Sequence, residues 1–211
     1  MLHLKVCGMR APENIEALLA LRPDYIGFIF YPPSPRYVGE VLPEELARQI
    51  HGVKKVGVFV NEEPIEILRQ ASRYGLDLIQ LHGQEPVETC RSLRNAGFQV
   101  IKAISVKSAQ DVSDAMKYDG EVDFFLFDTK GKAPGGNGEV FDWTALREFR
   151  SKTPYFLSGG LDETSITQLH RFNIPVPFGV DVNSKFERAP GDKDIPAIKQ
   201  LMNSLGRGKS L

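Results

Sequence analysis

Cys7, His82 and Asp128 each stand at the end of a short apolar run, and each carries a group that can accept or donate a proton. A thiolate or an imidazole can serve as a general base, and a carboxylic acid can serve as a general acid. Each residue taken alone also has a structural explanation, because a cysteine often packs in a core, a histidine can bond to its neighbours and an aspartate can cap a helix. A thiol and a carboxyl on opposite sides of one site, however, could act as base and acid on a single sugar.

Two other segments suit the binding of anions. Gly159 and Gly160 in "LSGGLDETS" precede a segment rich in residues that start helices. Such a turn directs backbone N–H groups at a phosphate, although it also fits a tight connection between a strand and a helix. Arg36 stands among prolines in "PPSPRYVG". A guanidinium in a stiff segment can hold a carboxylate through two parallel hydrogen bonds, whereas an arginine outside a site only adds surface charge.

The elements that position these residues follow from a repeating pattern. Apolar, β-branched or aromatic runs alternate about eight times with segments whose apolar residues recur at the helical period. This pattern predicts an α/β fold, a (β/α)8 TIM barrel, as one domain over residues 1–211. A doubly wound open sheet is the alternative, but such sheets usually have fewer strands. The predicted strands cover 2–7, 24–30, 54–60, 77–82, 99–104, 123–128, 154–159 and 178–182.

The order of the strands predicts where the candidate residues meet. Active sites of these barrels form at the carboxyl ends of the strands, and phosphate usually binds in the loops after strands seven and eight. We therefore expect the candidates to face one another across one rim. The phosphate end would lie in the segments that hold Gly159, Gly160, Asp181, Asn183 and Ser184. The glycine-rich segment 131–139 could form a lid over the rim.

The alternation along the strands places charged residues where we expect the barrel interior. Lys5 shares a strand face with Cys7, and Lys102 and Asp181 interrupt later strands. An isolated buried charge costs several kcal/mol, so we predict an interior network that joins Lys5 and Lys102 to carboxylates such as Asp181. Because a free thiol is mostly protonated at neutral pH, a catalytic Cys7 would need a cation to lower its pKa, and Lys5 is the nearest candidate in the sequence.

Composition and charge exclude several classes of protein. The chain has 211 residues, 42% of them hydrophobic, and its 26 basic and 27 acidic residues leave a net charge of -1. These values give no case for disorder, for binding nucleic acid or for binding a membrane surface, and no apolar run is long enough for a membrane span. Only two cysteines are present, Cys7 and Cys90, so neither a disulfide scaffold nor a zinc site is expected. We expect a cytoplasmic location, since no signal peptide is evident.

A series of short motifs runs along essentially the whole chain. They are "KVCG", "GFIFYPPSPRYV", "KVGVFVN", "LIQLHG", "IKAI", "FDTK", "GGNG", "FDW", "LSGGL", and "GVDVNSKFE" followed by "APG". In this order and spacing the motifs closely resemble the phosphoribosylanthranilate isomerase family of tryptophan biosynthesis. No single motif decides the matter, but "KVCG", "SPRYV", "QLHG" and "SGGL" together are highly specific.

The resemblance implies an Amadori rearrangement of N-(5′-phosphoribosyl)anthranilate to 1-(2-carboxyphenylamino)-1-deoxyribulose 5-phosphate. It implies that Asp128 is the general acid that protonates the ring oxygen and that Cys7 is the general base that removes the C2′ proton. Arg36 would hold the anthranilate carboxylate, and His82 is a further candidate for contact with the substrate. The phosphate end would comprise Gly159, Gly160, Asp181, Asn183 and Ser184. Neither a cofactor nor a metal is implied, because the Schiff base formed from the substrate is itself the electron sink.

The chain departs from the family pattern after the last strand. Asn183 replaces a serine, and Lys185 and Phe186 replace a glycine and an aliphatic residue. If that glycine needs a positive φ, Lys185 would be strained or the loop would differ. The alternatives to the isomerase are another phosphate-binding TIM-barrel enzyme, a non-catalytic phosphosugar-binding barrel, and a thiol redox protein, which would usually carry a second cysteine nearby. We expect a monomer or a homodimer.

Overall fold

Eight parallel strands form a closed barrel in the computed structural model, which describes residues 2–129 and 143–207. Each strand pairs with its neighbours in sequence order, and the last pairs with the first. The strands are β1 (His3–Val6), β2 (Tyr25–Ile29), β3 (Lys54–Phe59), β4 (Leu78–Leu81), β5 (Gln99–Val106), β6 (Phe124–Thr129), β7 (Tyr155–Leu157) and β8 (Gly179–Val182). The predicted barrel is confirmed. The proposal of one domain over residues 1–211 stays a prediction.

Helices follow the strands on the outside of the barrel. They are α1 (Pro12–Leu19), α2 (Glu44–Gln49), α3 (Pro64–Tyr74), α4 (Val87–Asn95), α5 (Ala109–Ala115), α6 (Glu163–Thr167) and α7 (Ile195–Ser204). The described segment before β7 contains a 3-10 helix, Trp143–Glu148, in place of the α-helix that the repeating pattern predicts. Its buried Trp143 and Leu146 are three residues apart, which is the spacing that aligns side chains on a 3-10 helix.

The apolar core has two layers, because both faces of a parallel barrel strand are buried. The inner layer fills the barrel with side chains from β2 to β7: Tyr25, Val56, Leu78, Ile101, Ala103, Phe124, Leu126 and Phe156. The outer layer joins the other strand face, including Leu4 and Val6, to the helices. Burial of these side chains at about 25 cal/mol per Å² supplies the main driving force for folding.

Lys102 lies on the opposite face of β5 from the one that the sequence predicts. Ile101 and Ala103 occupy the inner face, so Lys102 points into the outer layer. Its Nζ donates to Glu85 Oε2 at 2.8 Å and lies 5.5 Å from the Tyr118 ring centroid. The prediction that Lys102 joins an interior network is therefore wrong, although the ammonium is buried and paired as the cost of an isolated charge requires.

Three aspartates brace the amino-terminal end of the barrel in the same way. Asp24, Asp77 and Asp123 each precede an even-numbered strand, β2, β4 or β6. Their Oδ2 atoms accept backbone N–H groups of the preceding strands, from Leu4 at 2.7 Å, Lys55 at 2.8 Å and Val100 at 2.8 Å. Each carboxylate therefore ties the start of one strand to the start of its neighbour.

The chain does not pass directly from β8 to the last helix. A short antiparallel hairpin, β9 (Glu187–Ala189) and β10 (Asp192–Lys193), comes first. Asn14 of α1 holds it in place, since its Oδ1 accepts the Lys193 N–H at 2.8 Å and its Nδ2 donates to the Lys193 carbonyl at 3.0 Å. The hairpin thereby brings charged residues back to the rim beside β1. Among the described residues, no helix has the length and apolar character that crossing a membrane requires.

Candidate active site

Cys7 follows β1 directly and lies at the carboxyl end of the barrel. Its backbone N–H donates to the Val182 carbonyl at 3.0 Å, which continues the pairing of β1 with β8. A Cβ atom on Gly27 of β2 would lie 2.8 Å from Cys7 Sγ, so the absence of a side chain there makes room for the thiol. Cys7 is 4% exposed. The thiol is thus held in a closely packed position with little access to water.

Lys5, two residues before Cys7 and on the same strand face, forms a buried ion pair with Asp181. Lys5 and Asp181 are register partners across β1 and β8, and Lys5 Nζ donates to Asp181 Oδ1 at 2.9 Å. This pair confirms the predicted link between Lys5 and Asp181. Burial alone would lower the pKa of Lys5, but the interactions with Asp181 and with Cys7 together outweigh burial and raise that pKa. Lys5 therefore stays protonated near the thiol.

Burial has the larger effect on Cys7 itself. It raises the pKa of the thiol above its ordinary value, and the charge of Lys5, followed by that of Lys193, offsets only part of the increase. Lys5 therefore acts in the direction that the sequence predicts, but its charge is shared with Asp181 and does not make Cys7 a stable thiolate in the free protein.

A row of polar side chains connects β4 to β6 on the other side of the rim. Gln80 Nε2 lies 3.0 Å from His82 Nδ1, and His82 Nε2 lies 3.4 Å from Asp128 Oδ2. When the Gln80 amide donates to Nδ1, the imidazole hydrogen is on Nε2 and faces the carboxylate. The His82 and Asp128 side chains are 29% and 24% exposed. This side of the rim is therefore open to ligands. The charge of Asp128 also contributes to the raised pKa of the Asp181 carboxylate near Cys7.

Arg36 is held by a residue that the sequence analysis did not identify. Its Nε donates to both carboxylate oxygens of Glu187, at 2.9 and 3.0 Å, and its Nη2 donates to Oε2 at 2.7 Å. Lys193 also contacts Glu187, and its Nζ donates to Asn183 Oδ1 at 2.6 Å. Only the motif "GVDVNSKFE" pointed to Glu187, and nothing in the sequence assigned a role to Lys193.

The turn after β7 contains two consecutive glycines with left-handed backbone conformations. Gly159 and Gly160 have φ values of +91° and +63°, which favour glycine. Asp162 then caps α6, with its Oδ1 accepting the Ser165 N–H at 2.7 Å. Lys185 is absent from the non-glycine residues with positive φ in the described part of the chain, so replacing the family's glycine there causes no strain of that kind. Ser184 and Lys185 form a single 3-10 turn with Phe186 beside this loop.

Six of the predicted site residues form three neighbouring pairs, and Gly159, Gly160 and Ser184 lie in the loops after β7 and β8. Cys7 and Asp181 share the β1–β8 seam, His82 and Asp128 share the β4–β6 side, and Arg36 and Asn183 are joined through the hairpin. Asp181 contacts Lys5 and Asn183 contacts Lys193, whereas the resemblance assigns both to the phosphate end. The predicted lid, 131–139, lies outside the described residues. Within the described ranges, no group of three His, Cys, Asp or Glu residues could hold a metal ion.

Comparison with known proteins links this barrel to one family. The sequence model described as N-(5'phosphoribosyl)anthranilate (PRA) isomerase matches residues 4–204. An N-(5'-phosphoribosyl)anthranilate isomerase from Phocaeicola vulgatus is 46% identical over 202 residues, which cover 96% of this chain and 97% of the relative. The crystal structure of phosphoribosyl anthranilate isomerase from Thermotoga maritima is 37% identical, with complete coverage of both chains and a TM-score of 0.84.

A further crystal structure carries a ligand. It is phosphoribosyl anthranilate isomerase in complex with reduced 1-(o-carboxyphenylamino)-1-deoxyribulose 5-phosphate, and it is 36% identical to this chain, covering 98% of it and 100% of that structure's chain, with a TM-score of 0.82. The family match, the curated relative and the solved structures agree over nearly the whole length. The chain belongs to the N-(5'-phosphoribosyl)anthranilate isomerase family.

Proposed function

We propose that this isomerase of tryptophan biosynthesis carries out its Amadori rearrangement with Asp128 as general acid and Cys7 as general base. The reaction converts N-(5′-phosphoribosyl)anthranilate to 1-(2-carboxyphenylamino)-1-deoxyribulose 5-phosphate. One observation carries the assignment: the two groups lie at the carboxyl ends of β1 and β6, on opposite sides of one rim. A sugar between them can be protonated from one side and deprotonated from the other.

Asp128 acts in the first step. Its carboxylic acid transfers a proton to the ring oxygen of the ribose as the bond from that oxygen to C1′ breaks. The lone pair of the anthranilate nitrogen forms the C1′=N bond of a Schiff base. The carboxylate that remains is stabilised by the Nε2–H of His82, 3.4 Å away. This contact gives His82 a supporting part and does not require it to be the base.

Cys7 acts in the second step. Its thiolate removes the proton from C2′, the electron pair of that C–H bond forms the C1′=C2′ double bond, and the π pair of the C1′=N bond returns to the nitrogen. The resulting enolamine tautomerises to the ketone when C1′ gains a proton and the C2′ hydroxyl loses one. Lys5 stabilises the thiolate by its charge, while Asp181 keeps Lys5 in place. The reactive form therefore has Asp128 protonated and Cys7 ionised.

The two anionic groups of the substrate fit two different parts of the rim. Arg36 binds the anthranilate carboxylate, and the turn at Gly159 and Gly160, with Ser184 beside it, binds the phosphate. The Asn183 side chain, which accepts a hydrogen bond from Lys193, belongs to the Arg36 side. The positive φ values of both glycines support this placement of the phosphate. The ligand of the related complex has both ends, a carboxyphenyl group and a phosphate. We also propose a cytoplasmic location for the protein, where amino-acid precursors are made. Its state as monomer or homodimer stays a prediction.

Loss of anthranilate-type fluorescence tests the function directly. When the protein is mixed with freshly prepared N-(5′-phosphoribosyl)anthranilate, we expect the fluorescence to decay at a rate proportional to enzyme concentration. The Cys7→Ala variant serves as the matched control, and its decay should equal that of substrate alone. Binding of the substrate without any decay would contradict the proposal and favour a non-catalytic phosphosugar-binding barrel.

A further inference from the structure

Glu187 occupies one edge of the Arg36 guanidinium and leaves the other edge free for a ligand. The three hydrogen bonds between them use Nε and Nη2, the side edge of the guanidinium. A guanidinium has five N–H donors, so the end edge, formed by Nη1 and the second hydrogen of Nη2, can still hold a carboxylate through two parallel hydrogen bonds. The Arg36 and Glu187 side chains are 7% and 4% exposed. Their geometry is therefore fixed within packed surroundings.

The rest of Arg36 is also closely packed. A Cβ atom on Gly8 would lie 2.7 Å from Arg36 Cδ, so the arginine stem crosses directly over the glycine that follows Cys7. The stem and the side edge of the guanidinium are thus both in contact with protein. These contacts fix the orientation of Arg36 next to the glycine that follows Cys7.

Lys193 holds Glu187 from the other side. Its ammonium is fully buried and contacts the Glu187 carboxylate as well as Asn183 Oδ1. Burial alone would raise the pKa of Glu187, but the bonds from Arg36 and Lys193 outweigh burial and lower it. One carboxylate is therefore shared by two buried cations. Burial lowers the pKa of Lys193, and the Glu187 carboxylate offsets part of that effect. With Lys193 protonated, the cluster of Arg36, Glu187 and Lys193 carries one net positive charge, which an anionic ligand would offset.

We propose that Glu187, itself held by Lys193, is a positioning residue that presents the end edge of Arg36 to the anthranilate carboxylate. The proposal rests on the proposed function, because it takes the substrate to be an anthranilate. Preorganisation is the source of the effect: an arginine already fixed in its binding orientation does not lose side-chain freedom when the ligand binds.

The test uses the double variant Glu187→Gln/Lys193→Met. It removes one negative and one positive charge, so the net charge of the cluster stays the same and no lysine is left buried without a partner. Asp192→Asn on the same hairpin is the matched control, because it removes an exposed carboxylate that contacts Arg188. Two probes are compared by calorimetry: reduced 1-(o-carboxyphenylamino)-1-deoxyribulose 5-phosphate, and the same molecule without its ring carboxylate.

We expect the double variant to bind the carboxylate-bearing probe about five- to tenfold more weakly, which is the cost of ordering one long side chain. Its affinity for the probe without a carboxylate should be unchanged, and its KM for substrate should rise by the same factor while kcat changes less. The Asp192→Asn variant should bind both probes as the wild type does.

Two results would overturn the positioning role. Wild-type affinity of the double variant for the carboxylate-bearing probe would show that Arg36 does not need Glu187. An equal loss with both probes would show a general structural effect. Failure of the proposed function is separate, since it would appear as a wild-type protein that does not turn over the substrate.

Discussion

The two ends of the barrel use carboxylates differently. At the amino-terminal end, Asp24, Asp77 and Asp123 accept backbone N–H groups of neighbouring strands. At the carboxyl end, Asp128 and Asp181 contact the side chains of His82 and Lys5. The amino-terminal carboxylates also contact ionisable side chains, but their bonds to backbone N–H groups fix them as part of the framework. Asp128 and Asp181 lie at the rim, where a carboxylate can respond to a proton or a ligand. The same residue type thus serves stability at one end and chemistry at the other.

The largest expected effect on kcat comes from Cys7 at the carboxyl end of the barrel, compared with Cys90 on the outside of the barrel. Replacement of Cys7 by Ala should lower kcat by about 10³- to 10⁴-fold, since the proton at C2′ then has no base. Affinity for the reduced product analogue should change little. Cys90→Ala, at an equally buried position in α4, is the matched control and should keep wild-type turnover. Near-normal kcat in Cys7→Ala would exclude the thiol as the base.

A second test compares one kind of substitution, Asp to Asn, at the two ends of β6. Asp128→Asn should lower kcat by about 10²- to 10³-fold, because an amide cannot protonate the ring oxygen. Asp123→Asn, just before the same strand, keeps an oxygen for the Val100 N–H and should leave kcat within about twofold of wild type. If Asp128→Asn raised KM alone, the carboxylate would be a binding group and not the acid.

A smaller effect concerns pH at the carboxyl end. Burial raises the pKa of Cys7, so the thiolate fraction of the free protein increases with pH up to that raised value. Below that pKa the thiolate fraction should rise by about tenfold per pH unit, so little thiolate should be present at about pH 7 and much more at about pH 9. The ultraviolet absorbance of the thiolate in the free protein, with Cys7→Ala as the reference, measures this change independently of Asp128. A full thiolate absorbance at about pH 7 would mean that the thiol is already ionised at neutral pH.

The smallest effect on catalysis should come from the amino-terminal end. Asp77→Ala leaves the Lys55 N–H without its acceptor and should lower the free energy of unfolding by about 1–3 kcal/mol. Turnover should stay within about twofold of wild type, because the substitution is at the end of the barrel opposite to the site. Denaturant unfolding and the fluorescence assay measure the two quantities. A large fall in kcat in a folded variant would show that the two ends are coupled.

The strands and the rim could be predicted because their signals are local. Each strand is a short apolar run, and the rule that active sites form at the carboxyl ends turns strand order into a site. Cys7, His82 and Asp128 were found in this way, and the Lys5–Asp181 pair followed from the alternation and from the cost of an unpaired charge.

The direction of Lys102 and the partner of Arg36 could not be read from local signals. Both faces of β5 are buried, so one lysine among apolar residues does not show which face is the inner one. Its partner Glu85 lies just before α4, at the start of a segment whose helical pattern does not show where the carboxylate points. Arg36 and Glu187 are 151 residues apart, and only the short hairpin after β8 brings them together. Long-range pairings of this kind depend on the closed barrel.

The β1–β8 pairing also has a consequence for how the chain folds. The contacts Lys5–Asp181, Asn14–Lys193 and Arg36–Glu187 all join the first part of the chain to the last. During synthesis, Lys5 has no carboxylate partner across this seam until β8 has emerged, so burying it earlier would cost free energy. A slip of β8 by one residue would turn Asp181 to the other strand face and leave Lys5 unpaired. The charges beside the thiol therefore also select the correct register when the barrel closes.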